Sequence, residues 1–342
     1  MTSERARDTF DALDPMRVAA SSSAPMRILL TGVSGFAGSL LVGRLRAQGH
    51  ELRGLARERE RVTAQLEVLQ GDPLTGEGLE RALDQVEVAY YLIHSMERSP
   101  RGSRPFADRE RIAAENFADA AARAGVRRIV YLGGLLPRPP ARGLQPMPER
   151  QPRATSQHLA SREAVERILL AAVPDSVALR ASIVIGARSR SFRLLVHLIE
   201  RMPVLTLPAW RRFRTRPIDA RDMTEMLAAA ATAKLPRRSL DVGGPDLLSY
   251  GEMIARIADL LLVRRPSVGL AVSATPFAAR LAAAIAGEDP ELVLPLMESL
   301  EGDLLPADDH AERLLDVHLH SFDSAVEHAL REWEEREPLA AR

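Results

Sequence analysis

The sequence predicts an α/β fold: a doubly wound parallel sheet followed by a smaller, mostly helical C-terminal substrate lobe. Three observations predict it. From Met26 onward, short apolar runs alternate with stretches of helical periodicity, the pattern of consecutive βαβ units. A glycine-rich turn separates the first apolar run from the first helix. After Gly186 the alternation lapses and the segments become amphipathic or proline-broken.

Each element follows from its local pattern. Ile28–Thr31 is a short, mostly apolar run of the kind that forms a buried strand, and Phe36–Gln48 has helical spacing. Glu51–Ala56 and Leu66–Gln70 read as the second and third strands, the latter running into Gly71-Asp72-Pro73. A short helix is expected at Glu77–Leu83, a fourth strand at Val88–Ile93, a long helix at Phe106–Ala124 and a fifth strand at Arg128–Leu132. Pro137–Pro152 holds six prolines in sixteen residues, which forbids regular structure and predicts a surface loop. A helix at Ser156–Ala172 and a strand at Val177–Ile185 come next. Beyond Gly186 the pattern predicts an amphipathic helix at Phe192–Arg201, a short strand in "SLDVGGP" and a strand at Ser267–Val272.

Composition excludes several classes. The 342 residues carry 46 basic and 46 acidic side chains. That balance argues against a general nucleic-acid binder, which carries a basic excess. Lys234 is the single lysine. The absence of cysteine excludes disulfides and thiolate metal sites, and fits a cytoplasmic protein. No apolar run approaches the roughly 18 residues of a spanning helix. Residues 1–25 include Glu4, Asp8, Asp11 and Asp14 and no long apolar segment, unlike a secretory signal. His310, His318, His320 and His328 have no metal-ligand spacing, so no metal is expected.

Thr31-Gly32-Val33-Ser34-Gly35-Phe36-Ala37-Gly38 has the spacing TGxxGxxG between strand and helix. Gly32 permits a tight turn, Gly35 lets the backbone approach a pyrophosphate, and Gly38 lets the helix pack on the sheet. Ser34, Phe36 and Ala37 complete the turn, where free N–H groups and the helix dipole favour phosphate. This is a Rossmann-type dinucleotide site. An acid at the end of the second strand would select NAD through its ribose 2′-hydroxyl. Here "LRGLARERER" places Arg57 at that end, with Arg53, Arg59 and Arg61 close in sequence. Arginine suits a 2′-phosphate, so NADP is the expected cofactor, with NAD as the alternative because Glu58 and Glu60 stand beside Arg57. The expected organisation is a flexible extension over 1–25, an NAD(P)-binding domain over 26–186, and a substrate lobe formed by 187–214 and 246–335. Residues 215–245 are expected to return to the first domain.

The segments "TGVSGFAG", "GDP", "VAYYLIHSM", "AAENFADAAARAGVRRIVYLGGL", "LRASIVIG" and "DVGGPDLLSY" resemble the short-chain dehydrogenase/reductase superfamily. The likeness is to its atypical, extended-type members related to NmrA-like and complex-I-subunit-like NAD(P)H-binding proteins. It spans about residues 26–335. It implies that Asp72 and Pro73 border the adenine and that Leu92, Ile93 and His94 line the cofactor near its ribose. Leu132, Gly133 and Gly134 would lie under the nicotinamide, and Ile183–Gly186 would flank its far side.

The chain departs from that superfamily's usual chemistry, a Tyr-x-x-x-Lys pair with a serine after the fifth strand. Its four tyrosines are Tyr90, Tyr91, Tyr131 and Tyr250, followed four residues on by His94, Ser95, Leu135 and Ile254. Gly133 or Gly134 replaces the serine. The helix "SQHLASREAVERIL" instead carries His158 and Arg162 at i, i+4, on a row that continues to Val165 and Leu169 and so faces inward. His158 and His94 are the catalytic candidates, since histidine moves protons near neutral pH. Arg162 would hold ribose or phosphate. The bland alternative is a polar pair at a helix start capped by Thr155 or Ser156. His197 reads as a packing or surface histidine, Asp219, Arg221 and Asp222 as a helix cap, and Arg211, Arg212, Arg214 and Arg216 beside Trp210 as a solvated basic stretch, with contact to an anionic substrate as the alternative. A G-x-S-x-G nucleophile turn is missing. Three functions remain: an NADP-dependent oxidoreductase acting on a small apolar carbonyl, enone or quinone; a non-catalytic NADP(H) sensor or assembly protein with a protein partner; and an NAD(P)-dependent epimerase or isomerase.

Overall fold

The computed structural model describes residues 24–93, 105–136, 157–235, 238–270, 275–287, 293–294, 297–298, 300, 302–307 and 310–337. The proline-rich segment and nearly all of the N-terminal extension lie outside these residues. The chain begins with β1 (Arg27–Thr31), α1 (Phe36–Ala47), β2 (Glu51–Ala56), β3 (Glu67–Gln70), α2 (Leu79–Leu83), β4 (Val88–Tyr91), α3 (Phe106–Arg123) and β5 (Arg128–Gly134). It continues through α4 (Gln157–Ala172), β6 (Val177–Ala181), β7 (Val184–Ile185), α5 (Arg190–Arg201), β8 (Leu205–Leu207), β9 (Arg214–Thr215), β10 (Ile218–Asp219) and α6 (Ala220–Ala230). It closes with β11 (Ser239–Val242), β12 (Leu248–Ser249), α7 (Tyr250–Leu260), β13 (Ser267–Gly269), α8 (Thr275–Ala286), α9 (Ala311–Leu315) and α10 (Phe322–Arg336).

Seven parallel strands form the central sheet in the order β11-β6-β5-β4-β1-β2-β3. Successive residues of a strand face opposite sides. Leu30 and Tyr90 therefore pack with Leu41 of α1 and Leu227 of α6 on one face. Leu29 and Ile129 pack with Phe117 of α3 and Leu169 of α4 on the other. Strands covered on both sides carry continuous apolar runs, which is why β1 and β4 show no alternation. The strand order reverses between β1 and β4, where α/β sheets open a crevice at their carboxyl ends. A separate core of Phe192, Ile257, Phe322 and Trp333 holds the C-terminal lobe.

One expected strand is two. Val177–Ile185 reads as continuous, but β6 stops at Ala181. There the Ser182 hydroxyl donates to the Arg216 carbonyl, and the Ile183 carbonyl accepts from Ile218 N–H at 2.9 Å. The chain leaves the main sheet because another segment takes its backbone groups, and β7 pairs with β10. The Ser267–Val272 strand is also shorter than expected, ending at Gly269. β11 adds to the main sheet beside β6, and α6 packs on α1.

His50 anchors the start of β1. Its Nδ1 accepts the Met26 N–H at 3.3 Å, and burial holds its pKa below the ordinary histidine value. The folded state thus favours neutral imidazole. That contribution is present above the unfolded pKa of about 6.5 and is lost as pH falls through and below it. Between pH 7.5 and 5 the melting temperature of wild type is expected to fall further than that of His50→Asn; parallel curves would show that His50 carries no such linkage.

Candidate cofactor and substrate cavity

A single cavity of about 960 Å³ lies over the carboxyl ends of β1, β4 and β5 and continues beneath the C-terminal lobe. At its floor, the Thr31 hydroxyl donates to the Tyr90 carbonyl at 2.9 Å and accepts from Leu92 N–H at 3.2 Å. This locks β1 to β4 at the point where the glycine turn begins. Gly32 has φ +67°, and a Cβ there would stand 2.6 Å from the Leu92 carbonyl oxygen. A Cβ on Gly38 would stand 2.3 Å from the Gly32 carbonyl oxygen. Gly35 begins α1 with no side-chain cap, and no acid occupies the first turn. The helix start therefore presents backbone N–H groups and the positive end of its dipole to the cavity. This bare cradle fits the diphosphate of a dinucleotide.

The other expected cofactor residues stand around the same space. Ser34, Gly35, Phe36, Ala37 and Gly38 line it with Gly32. Arg57 lines it just beyond β2, and its carbonyl is held by Gln70 Nε2 at 3.2 Å. Asp72 and Pro73 line it in a turn that Asp72 Oδ1 closes on Leu74 N–H at 2.9 Å. Asn116 of α3 grips the same turn through the Pro73 and Leu74 carbonyls. Leu92, Ile93, Leu132, Gly133, Arg162 and Ile183 complete the ring. Arg53 is turned away: it pairs with Glu67 at 3.1 Å and donates to carbonyls at the end of α2. His94 lies outside the described residues. His158 stands in the first turn of α4, one turn before Arg162.

Gly133 and Gly134 are not equivalent. A Cβ at Gly133 would meet the Tyr131 ring at 2.9 Å, whereas at Gly134 it would touch only Arg162 Cδ and Leu159 Cδ2 at 3.6 Å. Gly134 is therefore the position with room for the missing serine. The remaining β-sheet tyrosines are structural. Burial pushes the phenols of Tyr90, Tyr91 and Tyr131 far above the ordinary range, and Tyr90 spends its hydroxyl on the Leu227 carbonyl at 2.8 Å.

The far wall was not legible in the sequence. It is built by Leu195, Trp210, Tyr250, Met253, Met297 and Leu300, from separate segments of the C-terminal lobe. Besides Arg57 and Arg162, Arg61 and Arg190 line the cavity, and so do two other cations. Arg109 sits one helical turn before Ala113 on α3, and both face the space. Arg188 reaches from the β7–α5 turn to Ser39 Oγ of α1 at 3.0 Å. Helical spacing on α3 was the available signal for the first; the second sits in a turn and has none. Arg211, Arg212, Arg214 and Arg216 are not part of the lining, and Arg214 pairs with Asp303 at 2.9 Å. Asp219 caps α6 by accepting Arg221 N–H at 2.7 Å. His197 is buried edge-on to Trp333 at 5.5 Å.

A family model described as "NAD dependent epimerase/dehydratase family" matches residues 28–243. The chain belongs to this family. It is thus an extended member of the short-chain dehydrogenase/reductase type, and its glycine cradle is that of a nicotinamide-dinucleotide binder. The 3 beta-hydroxysteroid dehydrogenase/Delta 5→4-isomerase of Mycobacterium tuberculosis (strains CDC 1551 and H37Rv) is 35% identical over 113 residues. That match covers 31% of this chain and 30% of the relative's length. Among solved structures, WbmH of Bordetella bronchiseptica in complex with NAD+ has a TM-score of 0.65 at 14% identity, covering 91% of this chain and 99% of the other. UDP-glucose 4-epimerase of Thermotoga maritima with UDP-glucose has a TM-score of 0.67 at 13% identity, again covering 91% and 99%. These two likenesses show the shared fold. Among the described residues, no helix is long and apolar enough to cross a membrane.

Proposed function

We propose that this chain is an NADP-dependent cytoplasmic oxidoreductase acting on a bulky, apolar carbonyl, enone or quinone. Within its family we place it with the atypical NmrA-like and complex-I-subunit-like members. One observation carries the reading: the cavity does not end at the dinucleotide cradle but continues past Gly134 into an apolar chamber walled by the C-terminal lobe. A protein that only held its cofactor would have no need of that second space. When bound, the nicotinamide supplies or accepts the hydride. The chain's own residues do the rest. The start of α1 receives the diphosphate, Arg57 the 2′-phosphate and Arg162 the ribose. Leu195 and Met253 exclude water. His158, one turn before Arg162, exchanges the proton with the substrate oxygen. Stopped-flow assay of NADPH against aldehydes, enones and quinones tests the activity directly. NADPH that binds but is oxidised by no member of the panel would sink the reading.

The family description favours a second reading, in which the cofactor is reduced and reoxidised within one turnover, as an epimerase requires. Net accumulation of oxidised cofactor separates the two.

Two variants test the assignments. Arg57→Ala is expected to weaken NADPH binding roughly ten- to a hundredfold, the loss of one charge-assisted hydrogen bond, and to leave NADH binding unchanged. Calorimetry showing an equal loss for both would mean that Arg57 does not read the 2′-phosphate. For the α4 pair, Arg162→Ala is expected to raise the cofactor Kd, and His158→Ala to lower kcat with that Kd held. Wild-type turnover by His158→Ala from pH 5 to 9 would remove His158 from the proton route.

A further inference from the structure

Large apolar side chains left in water gather at one corner of the C-terminal lobe. Among the described residues these are Val204, Leu247, Leu262, Val268 and Leu270, and all but Leu247 stand where the end of α7 meets the β8–β13 ribbon. Leu205 N–H donates to the Pro266 carbonyl at 2.9 Å, and Leu270 N–H to the Leu207 carbonyl at 2.8 Å. Alternation then sorts the two faces of the ribbon. Leu205 is buried and lies in register with Ser267, whereas Thr206 pairs with Val268. Val204, Val268 and Leu270 therefore share the outward face. Every residue of β13 is exposed, although parallel strands are ordinarily covered on both faces.

Leu262 is the most exposed of the set. The chain leaves α7 by a turn in which Leu262 N–H donates to the Asp259 carbonyl at 3.0 Å and Val263 N–H to the Ala258 carbonyl at 2.9 Å. Leu262 has φ +57°, a left-handed position that favours glycine or asparagine. Here it carries a leucine that is 90% exposed. Contact with an apolar phase would relieve that exposure, and a joined patch of this kind marks a surface that meets something else.

Charge decides what covers the corner. Arg264 and Arg265 follow Leu262 and Val263 and are exposed. Arg211 donates to the Leu270 carbonyl at 3.1 Å and lies against Gly269. Arg201 is exposed just before β8, and Glu200 and Asp259 are the acids beside these groups. Arginines therefore outnumber acids around the aliphatic face. A second copy related by a twofold axis would set the arginines against themselves. Anionic headgroups instead supply the counter-charge while the acyl boundary takes the leucines and valines. Behind the ribbon, a groove of about 420 Å³ lies between Leu205, Val263 and Ile254. Ile254 also lines the chamber, so α7 is the wall shared by the two.

We propose that this corner is a docking surface for an anionic lipid bilayer. Val204, Leu262, Val268 and Leu270 enter the acyl boundary, and Arg264 and Arg265 meet the headgroup phosphates. Attachment is peripheral and reversible, and it weakens as salt rises. The docking stands apart from the redox reading. It serves that reading by setting the chamber beside the phase into which an apolar carbonyl or quinone partitions.

Flotation of the full chain with vesicles tests the proposal. The protein is expected to float with equimolar phosphatidylglycerol and phosphatidylcholine and to stay behind with phosphatidylcholine alone. Leu262→Asp with Val268→Asp, and Arg264→Glu with Arg265→Glu, should each lower the partition coefficient at least roughly tenfold. Both pairs are exposed, so Tm and NADPH affinity should hold. Leu247→Asp, at the other end of α7, should float as wild type does. The chain has no cysteine, so a fluorophore on Leu262→Cys reports one place; its emission should shift to the blue with the anionic vesicles, and that of Leu247→Cys should not. No flotation, equal flotation with both vesicles, or flotation indifferent to the Leu262 and Val268 pair would each overturn the docking. A dimer in sedimentation velocity that the same pair dissolves would assign the corner to a second copy and overturn it too. Flotation with all of these dependences in a protein that never oxidises NADPH would overturn the redox reading and leave the docking standing.

Discussion

Gly38→Ala is expected to lose about 3 kcal/mol of stability and to abolish measurable cofactor binding. The added Cβ would lie 2.3 Å from the Gly32 carbonyl oxygen, 2.9 Å from its carbon and 3.0 Å from Val33 Cα. All three atoms belong to the backbone of the turn that forms the cradle. A flexible side chain could swing aside, but this backbone cannot, because Thr31 pins it to β4 on one side. Nor can α1 slide away, since Leu41, Val42 and Leu45 are packed into the core. Any relaxation that admits the methyl group therefore displaces the N–H groups aimed at the diphosphate. Gly43, in the same helix, is the control. A Cβ there meets nothing within 4 Å, and Gly43→Ala should stabilise by about 0.5–1 kcal/mol through helix propensity. Thermal melts and cofactor calorimetry on the two variants check both signs. Comparable behaviour would show that the close approach at Gly38 is not what shapes the cradle.

Glu166→Ala should cost about 3–5 kcal/mol, the range for breaking one side of a buried ion pair. Glu166 is 4% exposed on α4. It takes Arg180 of β6 in two bonds at 2.8 and 2.7 Å and the Ser239 hydroxyl of β11 at 2.7 Å. Asp241 of β11 adds a longer contact to Arg180 at 3.6 Å. This carboxylate therefore ties the helix that carries Arg162 to the last two strands of the sheet. Its removal leaves the Arg180 guanidinium partly buried with Asp241 alone. The amides of β11 should then exchange with solvent sooner than those of β1 and β4. Denaturant melts read the energy and hydrogen exchange reads the place. A loss under 1 kcal/mol, or one spread evenly over the sheet, would show that the network does not hold β11.

Much of this was legible because the first domain is built from local patterns. The apolar runs of β1, β2 and β4 and the TGxxGxxG turn are contiguous, and the glycines that look permissive in sequence are the ones whose Cβ would strike backbone. What stayed hidden is what depends on distant partners. Residues 177–185 look like one strand because nothing local marks Ser182, whose hydroxyl bonds a carbonyl 34 residues away. The choice between Gly133 and Gly134 turns on which side the Tyr131 ring occupies. Trp210, Tyr250 and Met297 share a wall only after separate segments of the C-terminal lobe assemble. The missing Tyr-x-x-x-Lys pair was plain in the sequence, but the apolar chamber beneath the C-terminal lobe was not.

The central claim is that a substrate in this chamber exchanges hydride with the cofactor in the cradle without a Tyr-Lys pair. Mass spectrometry of products formed with NADPH deuterated at either face of C4 tests it most directly. The account predicts one deuterium in the product of at least one apolar carbonyl, enone or quinone, delivered from a single face and abolished in the cradle variant Gly38→Ala. Tight binding of NADPH with no deuterium in any product across the panel would contradict it and leave a protein that holds its cofactor without using it.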